Sequence, residues 1–97
     1  MTPVRWTEQA AADLAAIKAF VGQESLAYAL AVIGRLYNAV GQLAHFPDSG
    51  RVVPEHGHVE IRELVRPPYR IVYRRRPELV EILLVFRSSL PLPELPE

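Results

Sequence analysis

Four arginines, Arg51, Arg62, Arg66 and Arg70, stand with Tyr69 and Tyr73 between Gly50 and Tyr73 of a 97-residue chain. A guanidinium presents a planar fork of donors that matches carboxylate or phosphate, and a tyrosine ring can stack on a base. Two chemistries fit such a set: docking of an acidic polypeptide, or binding and cleavage of RNA. Cleavage needs a general base for the 2′-hydroxyl proton and an acid for the leaving oxygen, both within hydrogen-bond reach. Arg51, Arg62, Tyr69 and Arg70 are the residues that an RNA-cleaving site would use, with Glu55 and Glu63 as further participants. His45, His56 and His58 fall at a helix end or in a loop, away from the arginine-bearing strands, so spacing alone assembles no acid–base pair. His56-Gly57-His58 offers two imidazoles without a third ligand nearby and is read as a loop; neither a metal nor a cofactor is expected. The chain has no phosphate-cradling glycine loop and no nucleophile elbow.

Helices and strands must position these groups. Val4-Arg5-Trp6 is a short strand, and Thr7 caps a helix running from Glu8 to about Val21. Ala10, Leu14, Ile17 and Val21 form its apolar stripe, and Gly22 is the expected left-handed stop. Ser25 caps a second helix whose wider stripe is Leu26, Ala29, Leu30, Ile33, Leu36, Tyr37, Val40 and Leu43, up to Pro47. The two make an antiparallel helical hairpin. Residues 46–50 form a turn, and 51–58 are irregular because Pro54 and Gly57 interrupt pairing. Three strands follow, over 59–65, 69–74 and 79–87, joined by Arg66-Pro67-Pro68 and by residues 75–78 into an antiparallel meander. The last is apolar on both parities and is placed in the sheet's centre. Trp6 and Phe46 are assigned to core packing near the sheet edge. The fold class is therefore α+β: an N-terminal strand and an antiparallel helical hairpin packed on an antiparallel sheet. One domain covers 1–90, and a proline-rich tail over 91–97 is expected to be an extended, unpacked segment or a partner-binding arm.

Side chains alternate across a strand, so parity sorts the arginines. With a three-residue first loop, Val59, Ile61 and Val65 share the helix-facing side with Tyr69, Ile71 and Tyr73. The opposite face then carries Arg62, Arg70, Arg74, Glu81 and Arg87 among Leu64, Val72, Leu83 and Val85. Two readings stand: a solvated face with arginines paired to Glu60, Glu63 and Glu81, or a half-basic, half-apolar surface covered by an acidic amphipathic segment. The second makes Arg62, Arg70, Arg74, Leu83, Val85 and Arg87 the partner-binding residues.

Net charge is zero, but residues 51–90 hold eight arginines against five glutamates, while the first fifty residues and the tail are acidic on balance. With no cysteine there is no disulfide framework or thiolate site. No apolar run reaches the ~18 residues that cross a bilayer, and the first residues lack the apolar stretch of a signal peptide, so a cytoplasmic protein without membrane attachment is expected.

Trp6-Thr7, Ala10, Asp13-Leu14, Ile17, Phe46-Pro47, Gly50-Arg51, Pro54-Glu55, Arg62-Glu63-Leu64 and Tyr69-Arg70-Ile71-Val72-Tyr73, in that order and spacing, resemble the RelE/ParE toxin superfamily of type II toxin–antitoxin systems, in its ParE-like branch. The resemblance runs from about Val4 to Arg87 and implies a strand, a helical hairpin and an antiparallel sheet. It also implies a cognate antitoxin whose C-terminal segment wraps the helices and sheet, in a hetero-oligomer. ParE-type members are associated with poisoning DNA gyrase, RelE-type members with cutting mRNA in the ribosome. Phe86-Arg87-Ser88-Ser89 stands where RelE-type members carry a tyrosine or histidine and ParE-type members a histidine and a basic pair. The leading expectation is a non-enzymatic gyrase-binding toxin. The alternatives are a ribosome-dependent endoribonuclease and a non-toxic relative that retains antitoxin binding.

Overall fold

The computed structural model describes residues 1–96; Glu97, the last residue of the expected tail, lies outside them. In chain order the elements are β1 (Val4–Trp6), α1 (Glu8–Gly22), α2 (Leu26–Gly41), a 3₁₀ turn (Gln42–Ala44), β2 (Arg51–Val52), β3 (Ile61–Arg66), β4 (Tyr69–Arg76) and β5 (Leu79–Arg87). The five strands form one sheet in the order β1-β5-β4-β3-β2. β1 runs parallel to β5, and every other pairing is antiparallel. β4 is thus the middle strand, with β5 beside it. The two-residue β2 was not anticipated, because so short a run between Gly50 and Pro54 carries no alternation to detect.

Local chemistry starts both helices as expected. The Thr7 hydroxyl accepts the Ala10 amide hydrogen and the Ser25 hydroxyl accepts that of Tyr28, each satisfying one of the donors that a helix start leaves free. Gly22, however, is the last helical residue and not a left-handed stop; among the described residues only Gly57 has positive φ, at 69°.

One side of the sheet meets the hairpin. Ala10 and Leu14 of α1, and Val32, Leu36, Ala39 and Val40 of α2, are buried with Leu64, Tyr69, Ile71, Tyr73, Val80, Ile82 and Val85. A second cluster, Val53, Ile61, Val72, Leu83, Leu84 and Phe86, fills the other side. No helix covers it. Leu92 and Leu95 of the tail lie across it instead, so the tail is extended but packed. Pro91, Pro93 and Pro96 have no amide hydrogen to offer, and Leu92 and Leu95 supply the tail's apolar contact with the sheet.

The register of β3 differs from expectation by one residue. Leu64 pairs with Ile71, Arg62 with Tyr73 and Arg66 with Tyr69, so the connection is Pro67-Pro68 alone and Arg66 is still in the strand. A slip of one exchanges the faces. Arg62 and Leu64 therefore sit on the helix side, and Ile61 on the other. On β5 a bulge between the pairs Val72↔Leu84 and Tyr73↔Ile82 inserts Leu83 and changes parity. Val85 and Arg87 fall on the helix side with Ile71 and Tyr69, while Leu83 joins the second cluster.

Candidate functional site

Glu63 is the centre of the charged residues. Its side chain is fully enclosed, and its two oxygens accept Arg51 Nε at 2.6 Å and Arg70 Nε at 2.5 Å. Arg51 faces Glu63 directly across β2 and β3, and Arg70 reaches it from β4. The other end of the Arg70 fork is held by both oxygens of Glu55, at 2.9 Å each, from the loop after β2. The Arg70 guanidinium also lies 5.1 Å from the centre of the Phe86 ring, a cation–π contact. A buried carboxylate tolerates this enclosure only because both oxygens are charge-paired.

A second carboxylate organises the other end of the same face. Glu81 is nearly buried and accepts Arg76 Nε at 2.5 Å, a bond from Arg5, and a longer approach from Arg74 at 3.9 Å. The pairing follows from register, since Glu81 faces Arg5 on one side and Arg74 on the other. Hydrogen bonding from Arg76, then the nearby positive charge of Arg76 and Arg5, holds its carboxyl below the usual range against the opposing effect of burial.

The residues singled out by sequence are consequently dispersed. Arg70 and Arg74 do share one face, but its arginines are bound to Glu63, Glu55 and Glu81, and the tail lies over its apolar part. Leu83 and Val85 are inaccessible, at 0% and 3% exposure, and on opposite sides of the sheet. Arg62 spans the carbonyls of Gly50 and Asp48 on the helix side, with its Nε buried and without a partner among the described residues. Tyr69 is buried at the far end beneath Arg87, whose guanidinium is 5.9 Å from its ring centre. Phe46, assigned to the core, is exposed.

Tyr73 ties the loop to the sheet. Its hydroxyl donates to the Pro47 carbonyl at 2.8 Å and accepts the Gly50 amide hydrogen at 3.0 Å. Burial raises its pKa, the largest influence on it, so the hydroxyl stays a donor. Gly50 has to be glycine because an added Cβ would meet the Glu63 carbonyl at 2.6 Å and the Tyr73 ring and hydroxyl at 2.7 Å.

Hydrogen bonds from Arg70 bring Glu55 down from 4.5 to about 2. A carboxylate whose pKa is lower in the folded state stabilises above its unfolded value, and that contribution fades as pH falls from about 4.5 towards about 2. Glu55 is 44% exposed, so solvent screens the pair to roughly 0.2–1 kcal/mol. Urea midpoints measured across this window should fall less steeply for Glu55→Gln than for the parent chain. Identical slopes would detach Glu55 from the network.

The most accessible apolar surface lies elsewhere, on the outside of the helical hairpin. The expected α2 stripe divides: Ala29, Leu36 and Val40 are buried, whereas Leu26, Leu30 and Tyr37 are exposed. Tyr37 packs against Trp6 with ring centres 5.3 Å apart. Around this pair run two adjoining recesses. One, of about 420 Å³, is lined by Ala11, Leu14, Ala15, Lys18 and Ile33; the other, of about 510 Å³, by Met1, Pro3, Val4, Val40 and Ala44. The signal was present in sequence as a stripe too wide for a single buried seam, and in α1 as alanines on every side.

The family described as "ParE toxin of type II toxin-antitoxin system, parDE" matches residues 4–89. Toxin RelE2 of Caulobacter vibrioides is 40% identical over 90 residues, spanning 92% of this chain and 98% of that protein. A solved chromosomal ParDE TA system from P. aeruginosa aligns with a TM-score of 0.72 at 28% identity, covering 90% of this chain and 96% of that one.

Proposed function

Given that the chain belongs to the ParE toxin family of type II toxin–antitoxin systems, we propose that it is a cytoplasmic, protein-binding toxin, held by a cognate antitoxin and acting on DNA gyrase without chemistry of its own. The observation that carries the choice of binding over cleavage is the separation of Arg51, Arg62, Tyr69 and Arg70. Arg51 and Arg70 are committed to Glu63, Arg62 faces the other side of the sheet, and Tyr69 is buried at its end. A general base has to be free to accept a proton. Glu63 has both oxygens occupied, and Glu55 is held ionised by Arg70 at a pKa far below the working range of a base.

The antitoxin reading is supported by the exposed apolar face of the hairpin. Contiguous aromatic and aliphatic surface of this kind marks a protein contact. In this proposal Trp6, Ile33 and Tyr37 replace Leu83 and Val85 as the apolar contacts, and of the six expected partner-binding residues the exposed Arg87 is retained. Tyr37→Glu should leave the fold intact, since Tyr37 is 53% exposed, and should weaken the complex with the antitoxin encoded beside the toxin by about thirtyfold, or roughly 2 kcal/mol. Unchanged affinity would remove the hairpin groove from the interface.

The target is tested with purified components. Adding the chain to gyrase and supercoiled DNA should accumulate cleavage complexes or abolish supercoiling, and adding it to translating ribosomes should leave mRNA intact. Cut message with unaffected gyrase would replace this reading with the ribosome-dependent nuclease. Loss of neither activity alongside tight antitoxin binding would identify a non-toxic relative.

A further inference from the structure

The cations divide into two populations. Arg5, Arg51, Arg70, Arg74, Arg75 and Arg76 each meet a carboxylate within 4.0 Å. Five meet none among the described residues: Arg62 is held by backbone carbonyls, Lys18 stands by itself on α1, and Arg35, Arg66 and Arg87 are all exposed. These last three carry the inference. They are also gathered in one place. Arg66, Tyr69 and Arg87 form a cross-strand row over β3, β4 and β5, because Tyr69 pairs with Arg66 on one side and Arg87 on the other. Arg35 joins from α2, lining a small recess with Val32, Leu36, Arg66, Pro67 and Tyr69. On the other side, Arg87 and Tyr69 share a recess of about 250 Å³ with Ala16, Ile17 and Phe20 of α1. Asp13, the acidic residue of α1 that reaches β5, has its oxygens engaged by the Val85 amide and the Gln9 side chain.

Three uncompensated guanidinium groups repel one another, and a chain with as many acids as bases had carboxylates to place among them. Their fork geometry suits carboxylate or phosphate. The neighbouring surface decides between these. Phe20 is 67% exposed, and Ile17, Ala16, Val32 and Leu36 supply aliphatic lining, which a peptide side chain matches. Single-stranded nucleic acid instead uses aromatic faces for stacking. Phe20 is a single exposed ring, and that of Tyr69, lying between the arginines, is only 4% exposed, so the site has no run of aromatic faces on which successive bases could stack.

We propose that this end of the sheet, between the two helices, docks an acidic peptide segment of a protein partner, with carboxylates over Arg35, Arg66 and Arg87 and an apolar side chain against Phe20. The inference rests on the protein-binding reading above and adds the chemistry of the partner. It is separate from the groove around Trp6 and Tyr37, and from the carboxylate-paired arginines on the other face.

The test is fluorescence anisotropy with a fluorescein-labelled peptide in which glutamates flank a leucine. The folded chain should bind it, and Arg66→Glu, Arg87→Glu and Arg35→Glu should each weaken binding roughly tenfold. Val59→Glu, a new carboxylate at an exposed residue beyond the Ile61–Arg74 end of the sheet, should shift affinity less than about twofold. Urea midpoints verify that each variant is folded, and the corresponding glutamine variants serve in place of any that is not. Absence of binding, an equal loss with Val59→Glu, or displacement of the peptide by oligothymidylate would overturn the proposal. If the antitoxin binds but the peptide does not, this inference fails alone. If the peptide binds in the expected pattern but neither gyrase nor antitoxin responds, the proposed function fails alone.

Discussion

Glu63→Ala should destabilise the protein strongly, at a cost of about 3–5 kcal/mol in urea denaturation. Removing this carboxylate strands Arg70, whose side chain is only 11% exposed, with half of its fork unpaired, and it frees Arg51 from the edge of the sheet. Domains have about 5–15 kcal/mol to lose in total, so this one change would remove a large share of the stability. The effect is expected to be asymmetric. Replacing Glu63 and Arg70 together by leucine and methionine removes both charges from the interior and should recover most of the loss, because a buried pair contributes little net stability while an orphaned partner is heavily penalised. A loss under about 1 kcal/mol for Glu63→Ala, or a double variant as damaged as the single one, would contradict the enclosed network.

Gly50→Ala should be nearly as harmful, costing about 3 kcal/mol or more. The reason is proximity and not backbone freedom, since the only positive φ among the described glycines is at Gly57. The new methyl would press on the Glu63 carbonyl, which is fixed within β3, and on the ring and hydroxyl of Tyr73, which is 0% exposed and pinned by Pro47. Neither neighbour can withdraw without breaking strand pairing or the tie to the loop. Gly34→Ala and Gly41→Ala supply the contrast: both lie in α2 with nothing within 4 Å of the added carbon, and both should stabilise by about 0.5–1 kcal/mol. A wild-type thermal midpoint for Gly50→Ala would show that Tyr73 is not held as described.

The helices, their capping residues, the three long strands and the class of fold were readable from the chain because each rests on local periodicity. Thr7 and Ser25 announced helix starts with their own hydroxyls, and the parities of β4 and of β5 up to Leu83 were legible. What failed depended on single residues whose effect is not local. Counting Arg66 into the loop instead of the strand inverted β3, moving Arg62 and Leu64 to the helix side, and the bulge at Leu83 did the same for Val85 and Arg87. Neither event changes composition or pattern. The charged face was half legible: pairing of arginines with Glu63 and Glu81 was one of the two readings, but the burial of that face under Leu92 and Leu95 depends on how the chain closes on itself. The outer hairpin surface was visible only as an excess of apolar residues in α2, with no indication of which of them would turn outward.

The parallel pairing of β1 with β5 links Val4 to Val80, 76 residues apart in a chain of 97. During synthesis the helical hairpin can form early from local contacts, yet the sheet surface that receives Leu14 and Leu36 is unfinished until residues near Arg87 leave the ribosome. A truncated translation product would therefore carry a hairpin with a bare underside and no completed row at Arg66, Tyr69 and Arg87. The order in which the polypeptide is made thus withholds its finished form until β5 has emerged, and during that interval the unfinished chain exposes apolar surface that chaperones and proteases recognise.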